Sequence, residues 1–263
     1  MVELSTLVAD LRAEGDEIDA LVQDLPADEW SRPTPAAGWT IAHQVAHLGW
    51  TDERALLAAT APDEFRAEFK RYAATEGLND VVDKEAARLA TRPDLLSWWR
   101  AGREELATAL LELPAGTQLP WYGPPMSAAS MATARLMETW AHGQDVADAL
   151  GVRRTPTPRL RHVAHIGVRA RNFAYLNHGL RVPGEQFRVE LMGLDGELWT
   201  WGPEDATQRV TGPALEFCLL VTQRVHRADT ALVAVGRDAN EWLDIAQAFA
   251  GPPGTGREVG SRG

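Results

Sequence analysis

Apolar residues recur at helical spacing through the first part of the chain. Leu4, Leu7, Val8, Leu11, Ile18, Leu21 and Val22 recur three, four or seven apart, which predicts a helix over roughly 2–24. After the loop "PADEWSRPTPAAGW", a second helix is predicted over 40–60, starting beyond Gly38. A third, over 92–112, has Thr91 suited to cap it and Pro93 in its first turn, where the missing N–H costs nothing. The Pro/Gly-rich "LPAGTQLPWYGPPMSAAS" ends it, and a fourth over 128–150 stops at Gly151. The charged stretch 63–90 is predicted to be helical in part. Four helices in sequence with one long connection read as an up-down bundle.

The pattern changes at "GVRRTPTPRLR", where Pro156 and Pro158 make a stiff linker. Beyond it a helix is predicted over 158–178, and "FRVELMG", Asp195-Gly196 and "ELWTWG" give a strand-turn-strand signal. "TGPALEFCLLVTQRV" reads as a helix with Thr211 near its start, and "ALVAVG" as a strand. Asp238 with Glu241 three residues on resembles a capping box opening a last helix, which "AGPPG" stops. The expected architecture is α + (α+β): a helical domain over 1–155, a small α+β domain over 156–250 and a frayed tail over 251–263.

Composition narrows the function classes. The chain has 263 residues, 24% charged and 45% hydrophobic, which is globular. With 26 basic and 37 acidic residues the net charge is −11, which argues against a protein that grips nucleic acid by neutralising phosphates. The single cysteine, Cys218, allows no internal disulfide, excludes Cys-rich zinc motifs and is expected to be buried in the core. That usage suits a reducing cytoplasm. The first residues carry acids and no apolar signal-peptide core, and no run approaches the roughly 18 apolar residues of a membrane span, so a membrane role is not expected.

The candidate chemistry lies in "METWAHGQD" and "IAHQVAHLGWTD". Glu138 and His142 stand at i and i+4 of one helix, and His43 and His47 at i and i+4 of another, so each pair can share a cation. Helices packed in a bundle can aim both pairs at one interior point. The same spacing has a plainer reading. Leu136, Trp140, Ala147 and Leu150 cluster opposite Glu138 and His142, and Val45, Leu48 and Leu56 turn away from His47, so both polar stripes can face water. Periodicity leaves the two readings open.

"GWTIAHQVAHLGWTDERALLAA" and "ARLMETWAHGQDVADALG" resemble the ligand helices of the DinB-like bundles, in particular the N-terminal domain of mycothiol-dependent maleylpyruvate isomerases. The string "WYGPPMSA…ARLMETWAHGQD" is also similar to an actinobacterial group of metal-binding proteins. The resemblance covers about the first 150 residues. It implies a DinB-like four-helix bundle in which His47, Glu138 and His142 hold a divalent metal, with Asp145 supporting an imidazole from behind. His43 departs from the family pattern and stays outside the ligand set. The later segment resembles the companion, sterol-carrier-like domain of the same enzymes.

Three protein ligands leave a coordination position open, as in catalytic rather than structural zinc sites. Zn²⁺ is the expected ion, and nickel, iron and manganese accept the same ligands. The resemblance implies a small thiol such as mycothiol that adds to an unsaturated acid, with rotation and elimination giving the trans isomer. Water in the thiol's place would make a hydrolase; a non-enzymatic ligand-binding protein is a third reading. For a small anionic substrate, eight arginines between 153 and 188 against the lone acid Glu185 suggest a basic wall. Arg224 in "LLVTQRV" resembles the position where the isomerases aim an arginine at the active site, which makes it the catalytic candidate. Tyr122 and Met126, in the loop before the fourth helix, are candidate contacts for the thiol or substrate.

Overall fold

The computed structural model describes residues 3–75, 78–254 and 256–261. The chain divides into two compact units, Met1–Arg153 and Arg154–Gly263. Helices dominate, with small sheets. Among the described residues no helix is long and apolar enough to cross a membrane.

In the first unit the long helices are α1 (Leu4–Val22), α2 (Ile41–Thr60), α5 (Leu95–Glu112) and α6 (Ala128–Leu150). Helices α1 and α2 each pack on both α5 and α6. Two further helices, α3 (Pro62–Thr75) and α4 (Leu78–Leu89), form the link between α2 and α5 and lie against α2. The link predicted to be helical in part is thus helical over most of its described length. A two-stranded ladder, β1 (Gln118–Leu119) with β2 (Met126–Ser127), closes the loop before α6. Ser127 caps α6 by accepting from the Ser130 N–H at 3.1 Å, and Gly151 ends it in the left-handed conformation at φ 65°. The third predicted helix starts later than expected: α5 begins at Leu95 with Asp94 at its cap, so Pro93 lies outside its first turn.

The core explains why helical periodicity could not choose between the two readings. Around α2, Ile18, Val45, Leu48, Trp50, Leu95 and Trp99 form one buried cluster. Gln44, His47, Thr51 and Asp52 are also buried, so α2 is covered on nearly every side. Helix α6 likewise buries Arg135, Thr139 and Asp145 along with its apolar residues. Gly49 is needed where α5 crosses α2, because a Cβ there would lie 2.3 Å from the Trp98 ring. Five residues past His47, the buried Asp52 accepts from Arg135 Nε at 2.9 Å, and Arg135 Nη2 donates to the Leu48 carbonyl at 3.5 Å. This ion pair ties α2 to α6 beside the candidate site.

The second unit has helices α7 (Leu160–Arg169), α8 (Arg171–Asn177), α9 (Ala214–Val221) and α10 (Arg237–Ile245). Its sheet comprises β3 (Phe187–Met192), β4 (Leu198–Trp201), β5 (Gln208–Pro213) and β6 (Val233–Val235), in the order β4-β3-β5-β6. The β3/β4 and β5/β6 pairs are antiparallel and β3/β5 is parallel. Phe187, Val189, Leu191, Trp199 and Val210 form the buried face. Three sequence expectations change here. Residues 158–178 form two helices meeting at Ala170, not one. Thr211 lies in β5, and the helix that follows begins at Ala214. Gly236, not Asp238, caps α10. Cys218 is buried as expected, its Sγ 3.4 Å from the Leu160 carbonyl, and burial pushes its thiol pKa up.

Candidate metal centre

His47 and His142 face each other from α2 and α6 with ring centroids 4.5 Å apart. Glu138, one turn before His142, places Oε2 3.2 Å from His142 Nε2 and 3.6 Å from His47 Nε2. One ligand atom from each of the three lies within 4.8 Å of the others; this is the single such group of three or more His, Cys, Asp or Glu among the described residues. Bonds of about 2.0–2.1 Å at tetrahedral angles would set ligand atoms about 3.3–3.4 Å apart. The two separations to Glu138 bracket that value, so the donor set fits a small divalent cation. His47 Nδ1 is buried without a hydrogen-bond partner, which leaves Nε2 as the nitrogen engaged at the cluster.

Burial alone would raise the Glu138 pKa, but hydrogen bonds with His142 and His47, and their charges, hold it well below the usual carboxylate range. A depressed carboxylate contributes stability above its unfolded-state pKa, about 4.3, and loses it as pH falls through the folded-state value. In metal-free protein, the stability advantage of the parent over Glu138→Gln is therefore expected to be present near pH 6 and to shrink on acidification towards about pH 3. Urea unfolding at both pH values measures it, and an advantage unchanged at low pH would contradict this electrostatic account.

The cluster is roofed by the loop before α2. Trp39 stacks on His142 with centroids 5.9 Å apart and meets His47 edge-on at 5.3 Å. The loop is pinned by Thr34, whose N–H and hydroxyl both donate to the Trp39 carbonyl, at 2.8 and 2.9 Å. Sequence reasoning missed Gln44. Its Oε1 lies 2.5 Å from His142 Nδ1, and its Nε2 donates to Thr34 Oγ1 at 2.8 Å. Its position one turn before Leu48, on the predicted apolar side of α2, was the available signal.

The other candidates occupy different surroundings. His43 Nδ1 accepts from the Thr40 N–H at 3.3 Å and lies 2.7 Å from Thr40 Oγ1, so it serves the start of α2. Burial lowers its pKa. Asp145 is buried on α6. Tyr122 belongs to an aromatic cluster with Trp50, Phe65, Phe69 and Trp121, its hydroxyl buried without a partner and its pKa pushed up by burial. Met126 is half-buried in β2, opposite Leu119. Arg224 follows α9 in the second unit, where its Nη1 donates to the Thr222 carbonyl at 2.5 Å. Several arginines of the basic segment are engaged within that unit: Arg161 lies over Trp199, Arg171 over Phe187, and Arg188 pairs with Glu190. His165 Nδ1 accepts from Trp201 Nε1 at 3.2 Å.

Fold and geometry together define a mostly helical protein with a half-buried cluster of two imidazoles and one carboxylate between two helices. The chain belongs to the family described as the mycothiol maleylpyruvate isomerase N-terminal domain, whose profile matches residues 11–147 and so spans all three clustered side chains. A second profile, described as wyosine base formation, matches residues 183–235. Two uncharacterised proteins of Mycobacterium tuberculosis, from strains CDC 1551 and H37Rv, are each 57% identical over 258 residues, covering 98% of this chain and 100% of theirs. The crystal structure of a mycothiol-dependent maleylpyruvate isomerase matches with a TM-score of 0.60 at 17% identity, over 89% of this chain and 93% of that one. A histidine-to-alanine mutant of that isomerase matches with a TM-score of 0.59. At this identity the likeness is one of fold.

Proposed function

We propose that this protein binds a divalent metal through His47, Glu138 and His142 and acts as a thiol-dependent isomerase or S-transferase on a small unsaturated acid or electrophile. The observation that carries the reading is the convergence of three ligand atoms from α2 and α6 in a half-buried place beneath the Trp39 ring. Membership of the mycothiol maleylpyruvate isomerase family supports the thiol as co-substrate. A bound cation, Zn²⁺ by ligand type, would stabilise a thiolate at neutral pH. The reaction class is addition of a thiol across a conjugated double bond, rotation about the new single bond and elimination of the thiol.

The chain's own residues supply the rest. The Trp39 ring shields the imidazoles from water. Asp145, buried on α6, supports the site from behind its ligands. In this reading Tyr122 and Met126 contact the thiol or substrate, and Arg224 is the catalytic cation that holds a substrate carboxylate. The helical part adopts a DinB-like four-helix bundle and the rest a sterol-carrier-like domain, with the boundary near residue 155, and the protein works in the cytoplasm.

The test is turnover of cis-unsaturated diacids by metal-loaded protein, with and without mycothiol. Isomerisation only when thiol is present is expected. Turnover that needs no thiol would replace this reading with metal-dependent hydrolysis.

A further inference from the structure

The hydrogen bonds behind His142 run in one direction, and a backbone carbonyl sets it. The Trp39 carbonyl can only accept, so the Thr34 hydroxyl 2.9 Å away donates to it. Thr34 Oγ1 then accepts from the Gln44 side-chain amide at 2.8 Å. That fixes the amide's orientation: Nε2 faces Thr34 and Oε1 faces His142. The flipped amide would need the Thr34 hydroxyl for itself and would leave two acceptor oxygens facing each other at 2.9 Å. An amide oxygen 2.5 Å from Nδ1 requires a proton on Nδ1.

We propose that Gln44 is a positioning residue that keeps His142 protonated at Nδ1 and so presents Nε2 to the cluster. Gln44 is fully buried, and its two partners come from the loop over the site and from α6. It therefore transmits the conformation of the 31–40 loop to the ring of a ligand. A histidine binds metal through the nitrogen that carries no proton, and the partner of the other nitrogen decides which one that is. The consequence for metal affinity rests on the function proposed above; the ring's protonation does not.

The experiment uses full-length protein with 15N-labelled histidine. Long-range 1H–15N spectra of the metal-free parent near pH 8, assigned with His142→Gln, are expected to show Nδ1 of His142 protonated, with Glu138 Oε2, 3.2 Å from Nε2, as the competing acceptor on the other side of the ring. Gln44→Leu should shift His142 towards the other tautomer. Gln44→Glu, which keeps an acceptor oxygen, should retain Nδ1–H. Thr34→Val, which removes the anchor of the amide, should give a mixture and covers the case in which Gln44→Leu fails to fold. In chelator competition Gln44→Leu is expected to weaken metal binding by about 10–100-fold, and Gln44→Glu by much less. An unprotonated Nδ1 in the parent, or an unchanged tautomer in both Gln44→Leu and Thr34→Val, would overturn the proposal. A parent that binds no metal would overturn the functional reading alone, and the spectra would still decide the role of Gln44.

Discussion

A Glu138→Ala, His142→Ala double variant is expected to lose bound metal altogether, while the parent carries about one equivalent. The two substitutions remove two of three ligands and leave His47 alone on α2. Changes that only disturb the support of a ligand weaken binding by about 10–100-fold, so losing the ligands themselves should exceed that range. Metal also stabilises the folded state by mass action, by about 2.7 kcal/mol at a hundredfold excess over Kd. For a chain of this size that corresponds to a rise of about 5–11 °C in Tm. The parent should show such a rise on adding Zn²⁺ and the variant none. Elemental analysis with thermal melts measures both. A variant that folds and retains its metal would remove the site, and with it the proposed chemistry.

Arg135→Met is expected to be strongly destabilising. Arg135 and Asp52 are almost wholly buried, with side chains 2% and 6% exposed. Burial pushes the Asp52 pKa up, and the Arg135 charge and hydrogen bond work against that. Removing the guanidinium strands a carboxylate in the interior, which costs about 3–5 kcal/mol. The Tm should fall by roughly 6–20 °C. Replacing both partners with apolar residues of similar size, Asp52→Leu with Arg135→Met, should recover most of the loss, because the pair's worth over a packed apolar contact is small. The sign with pH is specific. An unpaired buried acid has a raised folded-state pKa, so its cost is full above that value. The deficit of Arg135→Met should narrow as pH falls from 7 towards about 4. A loss below about 1 kcal/mol, or a double variant as unstable as the single one, would show that the pair does not hold α2 to α6.

Particular residues show where sequence reading succeeds. The helices α1, α2 and α6 have nearly the predicted spans because their apolar spacing and end signals agree, with Gly151 in the left-handed conformation its position requires. The β3/β4 pair was legible because alternation and an Asp-Gly turn coincide. The strand β5 was not. Its pairing with β3 is parallel and its partner lies some twenty residues away, while the apolar α9 follows it directly and dominates the local pattern. At the site, the i, i+4 spacing correctly paired Glu138 with His142, since helix geometry alone makes them neighbours.

The sequence by itself determined the long helices and placed the candidate ligands on two of them. Only the tertiary structure decided that His47, Glu138 and His142 turn inward. Periodicity assumes that one side of a helix meets water, whereas α2 and α6 are covered nearly all round, so their polar residues are buried and must find partners within the protein. Those partners are non-local. Asp52 meets Arg135 83 positions away, and Gln44 meets His142 98 positions away. No local pattern contains such pairs, because they follow from how the helices pack.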